Sequence, residues 1–202
     1  MTDDGTILCL CTANACRSPL LAAALGRRLG PGVEVLSAGT RATSEWVVTP
    51  ATLTAARAVG LDLGDHRPAR PDVELVDRAD LVVTATREQR SEAARLLPRA
   101  ARKAFTLHQL LRLTEAVTAD DLRRAHALVD AGSSPVAATA SMLGGLRGHV
   151  APPVAPADDD LADPYGESAA VQTRFARQVV EHADRFAVLL DAVLTHGRGV
   201  AV

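Results

Sequence analysis

The stretch Thr6-Ile7-Leu8-Cys9-Leu10-Cys11-Thr12-Ala13-Asn14-Ala15-Cys16-Arg17-Ser18-Pro19-Leu20-Leu21-Ala22-Ala23-Ala24-Leu25 decides the fold. Thr6 to Cys11 is a short apolar run of the length of a buried strand. Ser18-Pro19 then reads as a helix start, because serine is a favoured N-cap and proline fits the first helical turn. Gly30 and Gly32 end that helix. The same alternation continues outward. Val33 to Leu36 reads as a second strand and Ser37-Ala38-Gly39-Thr40 as a turn. Thr49-Pro50 opens a second helix that runs through Ala58 and stops at Gly60. Ala79 to Thr84 is a third strand, Arg87 to Leu97 a helix, and Lys103 to Leu107 a fourth strand. Strands alternating with helices predict an α/β fold. Its centre is an open four-stranded parallel sheet flanked by helices, with right-handed crossovers.

Beyond this unit the pattern changes. Ala119 to Ala131 reads as a helix, and residues 132–162, rich in Gly, Ser, Pro and Asp, as a long loop. From Glu167 a last helix carries Val171, Phe175, Val179, Ala183, Phe186 and Leu190 on one stripe, the spacing of core packing. The 202 residues are expected to form a single domain, 1–202, with a helical and loop insertion over 112–160.

Composition narrows the function classes. Hydrophobic residues make up 48% and aromatics 2%, so Leu, Val and Ala must build the core. Net charge is −2 and no basic block is present, which argues against nucleic acid as a partner. No run approaches the ~18 uncharged apolar residues of a membrane span. The start, Met1-Thr2-Asp3-Asp4-Gly5, lacks the basic region of a signal peptide, so a cytoplasmic location is expected. The three cysteines, Cys9, Cys11 and Cys16, crowd together near the start. A disulfide framework would spread them along the chain, and no His or Cys follows at zinc-ligand spacing. Neither a metal nor a cofactor is expected.

In an open parallel sheet, ligands bind beyond the carboxyl ends of the strands. The segment Cys11 to Ser18 sits there, between a strand and a helix N-terminus. Free backbone N–H groups and the helix dipole favour an anion at such a place. Thr12, Ala13, Asn14, Ala15, Cys16, Arg17 and Ser18 are therefore candidate phosphate-binding residues. Arg17 adds a planar, charged fork matched to phosphate oxygens. The same positive surroundings favour the nucleophilic thiolate of Cys11. A thiolate beside a phosphate ester can displace the leaving group and form a cysteinyl-phosphate. The spacing Cys-x5-Arg alone is weak in a chain with 21 arginines. Read without its context, Cys11 is a buried strand-end thiol and Arg17 a surface charge. The strand before, Asn14 within and Ser18-Pro19 after give the spacing its meaning.

Cys11 to Pro19 resembles the active-site signature of the low-molecular-weight protein tyrosine phosphatase family, C-x-G-N-x-C-R-S-P. Ala13 stands where the family usually has Gly, and a methyl there is expected to strain the loop. The resemblance implies Cys11 as nucleophile, Arg17 as phosphate clamp and Ser18 as stabiliser of the leaving thiolate, with Asn14 bracing the loop. Cys16 would be a redox partner, able to bond Cys11 reversibly and shield it from over-oxidation. Cys9 reads as a small core residue.

Downstream, Asp163-Pro164-Tyr165-Gly166 precedes the last helix. By itself Asp-Pro is a common turn, and Asp158-Asp159-Asp160 beside it suggests a solvated loop. The resemblance implies that Asp163 is the proton donor to the leaving oxygen. It also places Ser37 and His66 in the network that braces Asn14, and Trp46 and Tyr165 as walls of a phosphotyrosine pocket. It covers residues 5–110 and 163–195. The implied enzyme is a cysteine-dependent phosphatase acting on phosphotyrosine in proteins, possible substrates being a tyrosine kinase or its target, as a monomer or weak dimer. Two alternatives stand beside it. One is an arsenate reductase on the same fold, whose chemistry needs further cysteines that are absent after Cys16. The other is a phosphate-binding regulator without turnover. The family's arginine-phosphatase branch carries Thr where Ala15 stands, and its phosphotyrosine enzymes a larger aliphatic residue. Ala15 matches neither.

Overall fold

A computed structural model describes residues 4–197. Four parallel strands form the centre: β1 (Thr6–Cys11), β2 (Glu34–Gly39), β3 (Leu81–Thr84) and β4 (Ala104–Thr106), in the order β2-β1-β3-β4. Side chains alternate across a strand. Ile7, Cys9 and Cys11 of β1, with Leu81, Val83 and Phe105, face one core; Leu8, Leu10, Val82 and Ala104 face the other. Burial on both faces is what a parallel sheet covered by crossover helices requires.

The first face is covered by α1 (Arg17–Leu29), α2 (Pro50–Ala58) and the long α8 (Ala169–Gly197), which packs on both. Phe175, Val179, Ala183, Phe186 and Leu190 of α8 are buried in that core, as the stripe predicts. The second face is covered by α3 (Val73–Arg78) and α4 (Arg87–Leu96). Sequence reading missed α3, which Asp72 caps by accepting the Leu75 N–H at 2.7 Å. The order reverses between β1 and β3, so the chain leaves β1 at the point where a parallel sheet opens a crevice.

The expected loop over 132–162 is overturned in part. After α5 (Leu107–Glu115) and α6 (Ala119–Asp130) comes a helix, α7 (Pro135–Leu146), and later a 3-10 turn at Pro156–Asp159. Ser134 caps α7 through the Ala137 N–H at 3.0 Å with Pro135 at the first position, the same device as Thr49-Pro50 at α2. Its small residues mimic loop composition, yet Val136, Ala138, Met142 and Leu143 join the core cluster of α8. Arg147, just past α7, then reaches the edge of the sheet. It donates to Ala101 O at 2.6 Å and to Ala104 O, with its guanidinium 3.8 Å from the Phe105 ring centre. Burial lowers its pKa to about 10, which still leaves it charged at neutral pH. The insertion thereby covers an edge strand whose polar groups would otherwise be open to another chain. Among the described residues no helix is long and apolar enough to cross a membrane.

Candidate active site

β1 ends at Cys11, and the chain curls through residues 12–16 into α1. No side chain caps α1; its N-cap is Cys16, and Ser18 lies inside the first turn. That corrects the reading of Ser18 as N-cap. The Ser18 hydroxyl is engaged elsewhere: it lies 3.0 Å from Cys11 Sγ, accepts from Asn14 Nδ2 at 2.9 Å and reaches Ala38 O at 3.2 Å. One hydroxyl proton serves either the carbonyl or the sulfur, and a thiolate is the stronger acceptor. The Asn14 N–H also points at Cys11 Sγ, at 3.2 Å.

Asn14 is the hub of the loop. It is fully buried, at φ 56°, the one non-glycine with positive φ among the described residues. Asparagine tolerates that region better than most residues. Its amide donates to Ser18 and, at 2.9 Å, to Ser37 Oγ; its Oδ1 accepts the Ala69 N–H at 3.0 Å. His66 Nε2 meets the Asn14 carbonyl at 2.8 Å, so Nε2 carries the proton. Burial lowers the His66 pKa and keeps the ring neutral at pH 7. The strain expected at Ala13 does not arise, because the left-handed position falls on Asn14 instead.

Two supports had no sequence signal. Gln89, buried on α4, donates to Thr12 Oγ1 at 3.0 Å and accepts the Thr86 N–H at 2.7 Å. The pattern Thr86-x-x-Gln89 announces a helix start, not a reach across the sheet. Gly39 lies opposite Cys11 in the β1–β2 register, so its strand extends through the expected turn. A methyl there would meet Asn14 N at 2.6 Å and Ala13 C and Thr12 O at 2.7 Å. These are backbone atoms that cannot swing away. Gly39→Ala is expected to cost about 2–3 kcal/mol, measured by urea unfolding.

Arg17 is buried. Its Nη2 donates to Asp163 Oδ2 at 2.7 Å and its Nη1 to Leu161 O at 3.3 Å. The Tyr165 N–H holds the other Asp163 oxygen at 3.2 Å. Cys11, Thr12, Ala13, Ala15, Cys16, Arg17, Trp46, Asp163 and Tyr165 line one cleft of about 120 Å³. Trp46 and Tyr165 meet edge to face there, with ring centres 5.3 Å apart. A larger hollow of about 610 Å³ lies between α6 and α7, away from the thiols. Burial pushes the Cys16 thiol up to about 12 and Cys9 well above its ordinary range, so both stay protonated at neutral pH.

The sequence model of the low molecular weight phosphotyrosine protein phosphatases matches residues 6–122. The chain belongs to that family. A probable low molecular weight protein-tyrosine-phosphatase, EpsP of Ralstonia solanacearum, is 36% identical over 105 residues, 52% of this chain and 72% of that protein. A protein-arginine-phosphatase of Geobacillus stearothermophilus is 34% identical over 114 residues, 56% of this chain and 76% of that one. The solved YwlE arginine phosphatase from Geobacillus stearothermophilus superposes with a TM-score of 0.64 at 25% identity, covering 93% of each chain. The tyrosine phosphatase Wzb from Escherichia coli K30 shares the fold, with a TM-score of 0.61 at 22% identity over 93% of this chain and 98% of that one. An arsenate reductase of Bacillus cereus is 39% identical over 84 residues, 42% of this chain and 60% of that protein. This phosphatase is thus a cysteine-dependent hydrolase of phosphorylated substrates, on an α/β sheet of the family's form. The family match ends at residue 122, before Asp163 and most of the insertion.

Proposed function

We propose that this phosphatase, acting as one catalytic domain, hydrolyses phosphotyrosine in proteins through a cysteinyl-phosphate on Cys11. The observation that carries the reading is the meeting of Cys11, Arg17 and Asp163 in one cleft with two aromatic walls. The phosphoryl oxygens lie against the backbone N–H groups of residues 12–18 and the N-terminus of α1. They also compete with Asp163 for the Arg17 fork, which frees the carboxyl to face the leaving oxygen. Sγ of Cys11 attacks phosphorus as the ester P–O bond breaks, and the Asp163 proton passes to the leaving oxygen. Asp163, now ionised, takes a proton from water as the water oxygen attacks phosphorus. The S–P bond breaks and its electron pair returns to Sγ, where the Ser18 hydroxyl and the Asn14 N–H stabilise it. Asn14, Ser37 and His66 hold the loop in place for both steps.

Cys16 is protonated at neutral pH and leaves the attack to Cys11. Under oxidation it is the partner for a reversible disulfide. All three cysteines are free thiols in the structure, which suits a reducing compartment such as the cytoplasm.

Phosphotyrosine is favoured over phosphoarginine by the cleft walls. Trp46 and Tyr165 offer apolar faces to a phenyl ring. Ala15 is buried and has no polar group for a guanidinium N–H. On matched peptides, kcat/KM is expected to be about tenfold or more higher for phosphotyrosine. A preference for phosphoarginine would overturn the assignment and leave the chemistry standing.

A further inference from the structure

The segment leading to Asp163 opens with three carboxylates, Asp158, Asp159 and Asp160. Left free beside a phosphate cleft, they would repel a dianion and drag the loop toward water. The structure overturns the solvated-loop reading for Asp159 and Asp160, while Asp158 stays exposed. Asp159 is buried and accepts both terminal nitrogens of Arg112 on α5, a two-point fork. Asp160 accepts the backbone N–H of Arg87 at 2.7 Å and its Nε and Nη2 at 3.3 Å each, at the N-terminus of α4. The Asp158 carboxylate accepts the Ala155 N–H at 3.0 Å, and its carbonyl meets His108 Nδ1 at 2.8 Å. Leu161 follows, buried, its N–H donating to Ala85 O at 2.8 Å at the end of β3. Its own carbonyl accepts from Arg17.

Each residue from 158 to 161 is therefore tied, to α5, α4, β3, the phosphate loop or its own turn. Only Ala162 separates Leu161 from Asp163, and Pro164 fixes the backbone that follows. We propose that Arg112 and Arg87 are positioning residues: through Asp159 and Asp160 they hold the Asp163 carboxyl over the phosphate site and so govern proton delivery to the leaving group. The inference rests on Asp163 being the proton donor. Breaking the Arg112 fork leaves a buried carboxylate unpaired, and the loop must shift to hydrate Asp159. A displacement near 1 Å is enough to spoil proton transfer.

The test is a double-mutant cycle of Arg112→Gln and Asp163→Ala, read as kcat/KM on aryl phosphates of graded leaving-group basicity. That parameter reports the first chemical step, where the proton is given. On phenyl phosphate Asp163→Ala is expected to lose about 10²-fold. Arg112→Gln is expected to lose about tenfold, less as the leaving group improves, and about nothing further in the Asp163→Ala background. Equal loss on every substrate, or losses that multiply in the double variant, would overturn the inference and leave Arg112 a fold-supporting residue. If Asp163→Ala alone changes neither rate nor leaving-group dependence, the reading of Asp163 itself fails. Asp160→Asn, which weakens the Arg87 contacts, must show the same pattern and decides the matter if Arg112→Gln does not fold.

Discussion

Cys11→Ser is expected to lower turnover of p-nitrophenyl phosphate by about 10⁴-fold or more, with folding unchanged. Serine nearly matches the thiol in size, so the contacts around position 11 survive: the Ser18 hydroxyl, the Asn14 N–H, and the Cys11 carbonyl that accepts the Thr40 N–H at 2.9 Å. What is lost is the thiolate. A serine hydroxyl needs a general base to attack, and none of the cleft residues beside position 11 is an imidazole. His66 lies behind the loop and spends its Nε2 proton on the Asn14 carbonyl. Inorganic phosphate should still inhibit this variant's residual turnover, or bind it by calorimetry, with affinity near that of the parent. Retained turnover would mean that another group attacks phosphorus. Cys9 and Cys16 are poorly suited to that task, since burial keeps both thiols protonated.

Arg17→Lys is expected to lower kcat/KM by about 10³-fold, or ~4 kcal/mol of transition-state stabilisation. Lysine keeps the charge, so a loss of that size reports geometry. The guanidinium spans Asp163 on one terminal nitrogen and Leu161 O on the other, from a buried position at the first residue of α1. An ammonium is a point charge on a flexible stem and cannot hold both contacts while presenting a two-point face to phosphate. Inhibition by inorganic phosphate should weaken together with kcat/KM, because Arg17 serves ground state and transition state alike. A lysine variant with near-parental kinetics would show that charge alone suffices and that the Arg17 bridge to Asp163 has no catalytic consequence.

The parts of the fold that rest on local chemistry were legible in the sequence. Thr6 to Cys11 is the observed first strand, and Thr49-Pro50 starts the observed second helix. The candidate site was legible for a different reason: Cys11, Arg17, Asp163, Trp46 and Tyr165 meet in the cleft that the family resemblance implies. What escaped depends on partners far along the chain. Asp159 and Asp160 carry no mark of Arg112 and Arg87, which are 47 and 73 residues away. Gly39 gives no sign that the backbone of residues 12–14 will lie against it. Ser18 shows the opposite failure. Ser-Pro is a sound local signal for a helix start, yet the hydroxyl serves Cys11 and Asn14 rather than the helix. Local rules are expected to yield at a site built for chemistry. The helix α7 was hidden by alanine and glycine, although Ser134-Pro135 carries the same start signal as Thr49-Pro50.

The covalent intermediate is the most direct test of the account. A rapid denaturing quench during turnover of p-nitrophenyl phosphate, followed by peptide mass analysis, should find one phosphoryl group on the peptide containing Cys11. The adduct should accumulate in Asp163→Ala, where the water that clears it loses its base. Turnover with no phosphoryl-enzyme, or with phosphate on any residue other than Cys11, would contradict the account.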